Sequence, residues 1–367
     1  MSSPHLDPET IPHPASPASP AMLELGGRDV VFAYADVAAE FAALRTGAIV
    51  VDRSFRGRMR FFGERSGEAL TGLVTSDVLG TAPGHGHYAA ALSAKGRIVA
   101  DLRIFATPVG SSYLVDSPPR AWPGFLAMVK KYVNPRLSGY RDDSHAIRDI
   151  GIFGADARRI VSRLSGVAAD SLAALAPFDN LTATMHGVEV MIARVPDLGG
   201  GLEGYELFMP FETFDSVWRD AVAAGAVPAG LAAWEIARVE AGRPEWGIDI
   251  DETTIPQEAN FDEFDAISYT KGCYIGQEVV ARVHFRGHVN RHLRGLRSAG
   301  APPPTGAQLI DDTGNHVGDV RSAVASPRLG GIAIGMVRRE VASGATLTAR
   351  TEHGEQRVDV AALPFSA

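Results

Sequence analysis

Two periodicities run through this chain, and the elements they predict follow one another in no regular order. Val37 to Leu44 repeats its apolar residues at helical spacing, and Thr46-Gly47 closes it. Ala48-Ile49-Val50-Val51-Asp52 reads as a strand, and Arg58 to Gly63 as a second with alternating character. Glu64 to Leu73 predicts a short helix. His87 to Leu92 and Ile98 to Phe105 predict paired strands across the Ala94-Lys95-Gly96-Arg97 turn, and Ser112 to Asp116 a further strand. Pro119 to Tyr132 reads as an amphipathic helix. Ala146 to Phe153 restarts β structure, Asp156 to Leu164 is helical, and Thr182 to Ile192 reads as a hairpin around Gly187. A strand over Gly204 to Pro210 precedes helices over Phe211 to Ala224 and Leu231 to Glu240, the last ended by Gly242.

From about Arg291 to Ala367, short β runs alternate with Gly, Pro and Asp turns, which predicts a small all-β domain. Without regular βαβ alternation, the whole predicts an α+β fold rather than a doubly wound sheet. No repeat at solenoid periods is present. There is no GxGxxG at the start of a βαβ unit and no Walker A loop, so phosphate-cradling nucleotide enzymes are poor candidates.

The 367 residues allow two or three domains, and 46% apolar with 21% charged residues is an ordinary globular balance. A net charge of −8 argues against a general nucleic-acid coat, while leaving room for a local basic patch. A single cysteine excludes an intrachain disulfide and a Cys-only zinc or iron–sulfur site, and fits a reducing cytoplasm. No apolar run reaches the ~20 residues needed to span a bilayer. Met1 to Pro20 lacks the basic start and apolar stretch of a secretory signal and reads as a mobile tail.

That one cysteine lies in Lys271-Gly272-Cys273-Tyr274-Ile275-Gly276-Gln277-Glu278. A lysine two positions before a thiol raises its thiolate fraction, and the glycines permit a tight bend or close approach to a ligand. If a helix follows, its N-terminus acts in the same direction. A buried cysteine serving as a small hydrophobe is the alternative, and the surrounding lysine, glycines and glutamate favour a functional loop.

The octapeptide matches the K-G-C-Y-x-G-Q-E signature of YgfZ-type folate-binding proteins, and Val279 to Arg282 and Phe285-Arg286-Gly287 resemble that family's downstream segment. Arg238-Val239-Glu240-Ala241-Gly242 through Asp249 to Thr253 is similar to the R-x-E-A-G segment of the glycine-cleavage T-protein, the aminomethyltransferase. Gly204-Tyr205-Glu206-Leu207 resembles its G-[YF]-E strand. Gly47 to Asp52, Leu73 to Val78, Gly96 to Leu102, and Ser326 to Gly330 with Ile334 to Val337 fit the same template, so the likeness runs from about Ala38 to Arg338.

The resemblance implies two intertwined α+β subdomains and a C-terminal β-barrel around a tetrahydrofolate site. It divides the chain into a tail over 1–22, a folate-binding domain over 23–289 and a barrel over 290–367. It implies that Glu206 accepts pterin N–H groups, that Arg238 lies in the folate site, and that Asp101 sits near the nitrogens receiving the one-carbon unit. Tyr205 and Lys271 are carried over as further folate contacts, and Cys273 joins Asp101 as a reactive group. For Glu206 the bland reading is a solvated strand end. For Arg238 it is an internal pair with Glu235 or Glu240, and for Asp101 a local bond to the Lys95-Gly96-Arg97 turn. Ala100 stands where aminomethyltransferases carry the first of two acids, and Cys273 where they usually carry another residue.

These departures favour an accessory protein that supports iron–sulfur client enzymes, including tRNA thiomethylation. A folate-dependent aminomethyl- or methyltransferase is the alternative, and a scaffold binding only protein or tRNA is the third. Arg282, Arg286, Arg291, Arg294 and Arg297 form a basic run suited to a polyglutamate tail, RNA phosphates, an acidic partner or plain solvent. No DNA or membrane partner is expected. His284, His288 and His292 have metal-ligand spacing on a helix, but Val279 to Phe285 alternates like a strand and Gly287 breaks a helix, so no metal is expected there.

Overall fold

The computed structural model describes residues 20–366 except 35, 109–111, 197 and 200. The expected tail therefore lies, up to residue 19, outside the described residues. Ala21–Leu25 (β1) and Arg28–Ala33 (β2) form a hairpin, so ordered structure begins inside the span read as tail.

Two sheets follow, and the chain passes between them. Val37–Thr46 (α1) leads into Ile49–Asp52 (β3), which belongs to the second sheet although it comes first. Asp36 caps α1 by accepting a hydrogen bond from Ala38 N at 3.0 Å. The chain crosses at Arg53 to Arg56 into a five-stranded sheet. Its strands are Gly57–Phe62 (β4), Gly86–Leu92 (β5), Ile98–Ala106 (β6), Ser112–Ser117 (β7) and Gly139–Asp142 (β8), in the order β5-β6-β7-β4-β8. Ser66–Leu73 (α2) and Trp122–Tyr132 (α3) contribute Leu70, Leu73, Phe125 and Val129 to the core on one face, against Met59, Phe61, Ala100 and Leu102.

The chain then returns. Ile147–Gly154 (β9), Asn180–Met185 (β10), Val188–Val195 (β11), Glu203–Pro210 (β12) and Val227–Pro228 (β13) join β3 in the order β10-β11-β12-β9-β3-β13, with β13 parallel to β3. Ala157–Ser165 (α4), Ala169–Ala173 (α5) and Phe214–Ala223 (α6) cover its outer face; Ala157, Ile160 and Val161 form the apolar stripe of α4. Leu231–Glu240 (α7), buried along its length, packs beside α1. The barrel is closed by Arg291–Ser298 (β14), Gln308–Ile310 (β15), His316–Ser326 (β16), Gly330–Arg338 (β17), Thr346–Thr351 (β18) and Gly354–Ala361 (β19), in the order β14-β17-β16-β15-β18-β19. The expected α+β fold with a C-terminal barrel is the fold observed.

The strand expected over Val279 to Phe285 is instead a helix, Gln277–Arg286 (α8), with Val280 its one fully buried side chain. Val279, Val280 and Val283 share one helical face, but the apolar residues at 279, 281, 283 and 285 read equally as strand alternation. Gly276 starts it in the left-handed region at φ +82°, and Gly96 in the β5–β6 turn has φ +70°. These two glycines touch. A Cβ on Gly276 would lie 2.5 Å from Ser93 O and 3.1 Å from Gly96 Cα, and one on Gly96 would lie 2.6 Å from Val279 Cβ. The octapeptide glycine thus seats α8 on the first sheet. Gly276→Ala is expected to cost about 1–3 kcal/mol through this contact and its positive φ, read as a lower urea unfolding midpoint with an unchanged slope.

Candidate functional site

A row of side chains crosses three strands of the first sheet on the face turned towards the second. Arg103 (β6) lies opposite Asp116 (β7), which lies opposite Arg58 (β4), so positive, negative and positive charges stand side by side. Arg103 donates from Nε to Asp116 at 2.8 Å and from Nη2 to Glu206 (β12) at 2.6 Å, which joins the two sheets. Arg58 donates to Asp149 (β9) at 2.8 Å, and Arg56 to Asp116 at 2.6 Å. All these groups are buried. Burial opposes the charge on Glu206, but Arg103 and Arg53 outweigh it and hold the carboxyl below its usual range. Asp149 goes the other way: burial, and then the neighbouring Glu206 charge, push it well up.

Above this row is a narrow cavity of about 80 Å³ that opens to solvent. Asp101 and Tyr88 reach it from the first sheet, Glu206 and Phe153 from the second, and Trp234 and Arg238 from one face of α7. Arg53, Arg56, Arg103, Phe178, Arg243 and Glu245 complete its polar and aromatic lining.

Asp101, Glu206 and Arg238 therefore converge on one hollow. Asp101 is buried and accepts a hydrogen bond from Tyr88 Oη at Oδ2, 3.0 Å, rather than making the local bond to the Lys95-Gly96-Arg97 turn that is the bland alternative. Its Oδ1 is buried without any hydrogen-bond partner. Burial raises its pKa from 3.8 to about 6; Arg56 opposes the rise and Glu245 adds to it. Ala100 points to the opposite face of β6, into the apolar core with Leu102, so the missing first acid leaves the cavity's own acid in place. Glu206 is 1% exposed, which removes the solvated strand-end reading. Arg238 donates to Asp249 at 2.6 Å, Glu235 at 2.8 Å and Ser322 of the barrel at 2.7 Å, so the internal pair and the cavity position coexist. Burial opposes the Arg238 charge, and Asp249 and Glu235 more than offset it. Glu240 is taken by Arg328 and Ser326 instead.

Tyr205, Lys271 and Cys273 are not brought to this cavity. Tyr205 precedes Glu206 on a strand, so it faces the other side; its ring lies in the outer core and its hydroxyl donates to Leu172 O at 3.2 Å. The Lys271 ammonium donates to the carbonyls of Thr71, Val74 and Ser76 at 2.5–3.0 Å, and burial lowers its pKa to about 8. It anchors the octapeptide to the end of α2. Cys273 is exposed rather than packed as a small hydrophobe. The basic run is split: Arg282 and Arg286 are exposed on α8, while Arg291 on β14 pairs with Glu258 at 3.0 Å. His284 stacks on Tyr269 at 3.6 Å, and His292 lies on β14, so the three histidines do not share a helical face.

Residues 18–267 match the GCVT N-terminal domain, and residues 291–366 the glycine cleavage T-protein C-terminal barrel domain. The chain belongs to the GCVT family. Among its relatives, an aminomethyltransferase of Halothermothrix orenii is 28% identical over 352 residues, covering 94% of this chain and 95% of that protein. One from Rubrobacter xylanophilus is 29% identical over 345 residues, covering 94% and 90%. The glycine cleavage system aminomethyltransferase T of Bartonella henselae superposes with a TM-score of 0.84 at 20% identity over 95% of each chain, so the two share their fold.

Arg53, Arg56, Arg58, Arg103, Asp116 and Asp149 were not singled out from the sequence. Their signal was present: Asp101 and Arg103 are two apart in an otherwise apolar strand, and Arg58 opens another. Charges at same-face spacing inside an apolar strand mark a buried polar row.

The folded chain holds the Asp101 proton more tightly than the unfolded chain does. Stability from this group is therefore present at low pH and lost as pH rises from 3.8 to about 6. Asp101→Asn is expected to stabilise the protein at pH 8 by about 1–3 kcal/mol, with the gain vanishing near pH 4, in urea titrations at both pH values.

Proposed function

We propose that this chain binds tetrahydrofolate in the Asp101 cavity and serves a one-carbon transfer, of an aminomethyl or methyl group, with Asp101 as the proton-handling residue. The observation that carries the reading is the Asp101 Oδ1 atom: a buried acceptor lacking a partner, in a hollow lined by Tyr88, Phe178 and Trp234. A planar ligand with N–H donors supplies what that atom lacks, and aromatic walls suit its faces. The aminomethyltransferase relatives support the same reaction class.

Tetrahydrofolate, when bound, would supply nitrogen atoms able to carry a one-carbon unit. The chain's own residues do the rest. Asp101 Oδ1 accepts a ligand N–H and takes its proton; a carboxyl poised near 6 is ionised at neutral pH yet basic enough for that task. Tyr88 stays protonated, because burial and then Asp101 push its pKa well up, and its hydroxyl fixes the carboxylate by donating to Oδ2. Glu206 keeps lone pairs beyond those used by Arg103 and is available to ring N–H donors. Arg238, held by Asp249 and Glu235, closes the α7 side of the hollow.

A second reading attaches to Cys273. An exposed thiol in a K-G-C-Y-x-G-Q-E loop pinned by Lys271 favours YgfZ-like support of iron–sulfur enzymes, through a surface separate from the folate cavity. Under that reading Cys273→Ala abolishes rescue of cluster-enzyme activity in a deletion strain; rescue by the variant removes it.

Asp101→Asn is expected to lower single-turnover one-carbon transfer at least about 100-fold while tetrahydrofolate affinity by calorimetry changes less than about fivefold. The wild-type rate should climb with pH through about 6 and level above it. Absence of folate binding by the wild-type protein, or full transfer by Asp101→Asn, refutes the proposal.

A further inference from the structure

Arg53 is the one guanidinium of the buried lattice whose donors are unspent. It lies on the crossing between β3 and β4, is 2% exposed and lines the cavity. Arg56, Arg58 and Arg103 each donate to a carboxylate at 2.6–2.8 Å. Arg53 does not: its Nε is buried without a hydrogen-bond partner, 3.5 Å from Glu206 Oε1, which is already held by Arg103 through the other oxygen of that carboxyl. Among the described residues, Nη1 and Nη2 of Arg53 have no hydrogen-bond partner either. The guanidinium lies 3.8 Å from the centre of the Trp234 ring, with the Phe55 ring at 5.3 Å.

The charges around it do not balance. Four guanidiniums, those of Arg53, Arg56, Arg58 and Arg103, face three carboxyls, those of Asp116, Asp149 and Glu206. Asp149 is further biased towards its neutral form by burial and by Glu206. Glu245 lines the same cavity and its charge reaches Arg53, but its ion-pair partner is Arg120 at 3.7 Å. Asp101 turns its bonded oxygen to Tyr88. Burial lowers the Arg53 pKa, so its charge is under-compensated where it stands. A guanidinium stacked on an indole keeps its donor edge in the ring plane, and that edge matches a carboxylate in two parallel hydrogen bonds.

We infer that Arg53 is a docking residue for a carboxylate group of the ligand, met by the Nη1–Nη2 edge of the guanidinium that lies over the Trp234 ring. The inference rests on the cavity being the folate site proposed above, and it adds an anion to what that site must take. Two sources offer such a group: the glutamate end of the folate, and a small carboxylate-bearing co-substrate that brings or receives the one-carbon unit.

The test is calorimetry on the full chain with tetrahydrofolate, with 6-methyltetrahydropterin, which lacks the carboxylates, and with glycine or acetate added to the pterin-saturated protein. Arg53→Gln should weaken a carboxylate-bearing probe by about tenfold or more and leave 6-methyltetrahydropterin within about twofold. Arg53→Lys, which keeps the charge and stem but loses the planar fork, should fall between, and it is the variant to read if Arg53→Gln unfolds. Loss confined to tetrahydrofolate assigns the glutamate end; loss confined to glycine or acetate assigns the co-substrate. Equal weakening of 6-methyltetrahydropterin, or no change for any probe, overturns the inference. Failure of wild type to bind either pterin defeats the folate reading separately, since glycine and acetate can still be titrated alone against both proteins; no Arg53-dependent binding there overturns this one as well.

Discussion

Everything around the cavity depends on ion pairs made out of reach of water. Arg103 ties Asp116 of its own sheet to Glu206 of the other, and Arg58 does the same through Asp149. Taking such charges out of water costs several kcal/mol per ion, and their mutual attraction offsets this only while each partner is in place. Removing one member of such a pair typically costs about 3–5 kcal/mol because the other is left buried and alone. The lattice is thus a weak source of net stability and a strong source of specificity. It sets the spacing and register at which two sheets, each with its own apolar core on the far side, can face one another.

That mutual satisfaction is incomplete: Arg58 Nε, Asp116 Oδ2 and Asp149 Oδ1 of the lattice also lack a hydrogen-bond partner, as do two atoms on residues that line the hollow. Asp101 Oδ1 is an acceptor without a donor, and the Arg53 Nε is a donor without an acceptor. A chain selected for stability alone would neutralise both, since buried polar groups are otherwise almost always paired. Their persistence beside one cavity is the pattern expected where binding supplies the missing partners. The acid is placed by strand alternation: Asp101 faces the cavity while Ala100, one residue earlier, faces the core.

Long, strongly patterned elements were legible in the sequence. α7 spans Leu231–Glu240 as read, because its apolar residues continue without a turn signal until Gly242. The hairpin around Gly187 and the pair across Lys95-Gly96 followed from alternation and turn residues. α8 was not legible, since apolar residues at 279, 281, 283 and 285 read as strand alternation although Val279, Val280 and Val283 share a helical face. The hairpin of β1 and β2 escaped because it adjoins a Pro- and Ser-rich stretch. In the site, Asp101, Glu206 and Arg238 could be named from motifs, whereas the arginine lattice could not. Which of 35 Lys and Arg residues is buried depends on contacts between strands far apart in sequence.

The interleaving of the sheets bears on how the chain is made. β3 pairs with β9, about a hundred residues later, and β13 returns still later to lie parallel beside it. As a ribosome releases the chain from its N-terminal end, α1 and β3 emerge long before the strands that complete their sheet. At about 5–20 residues per second, that wait lasts some seconds. The apolar run Ile49-Val50-Val51 is therefore a nascent edge in need of shelter, and the first sheet finishes its hydrogen bonding while its neighbour is still being translated.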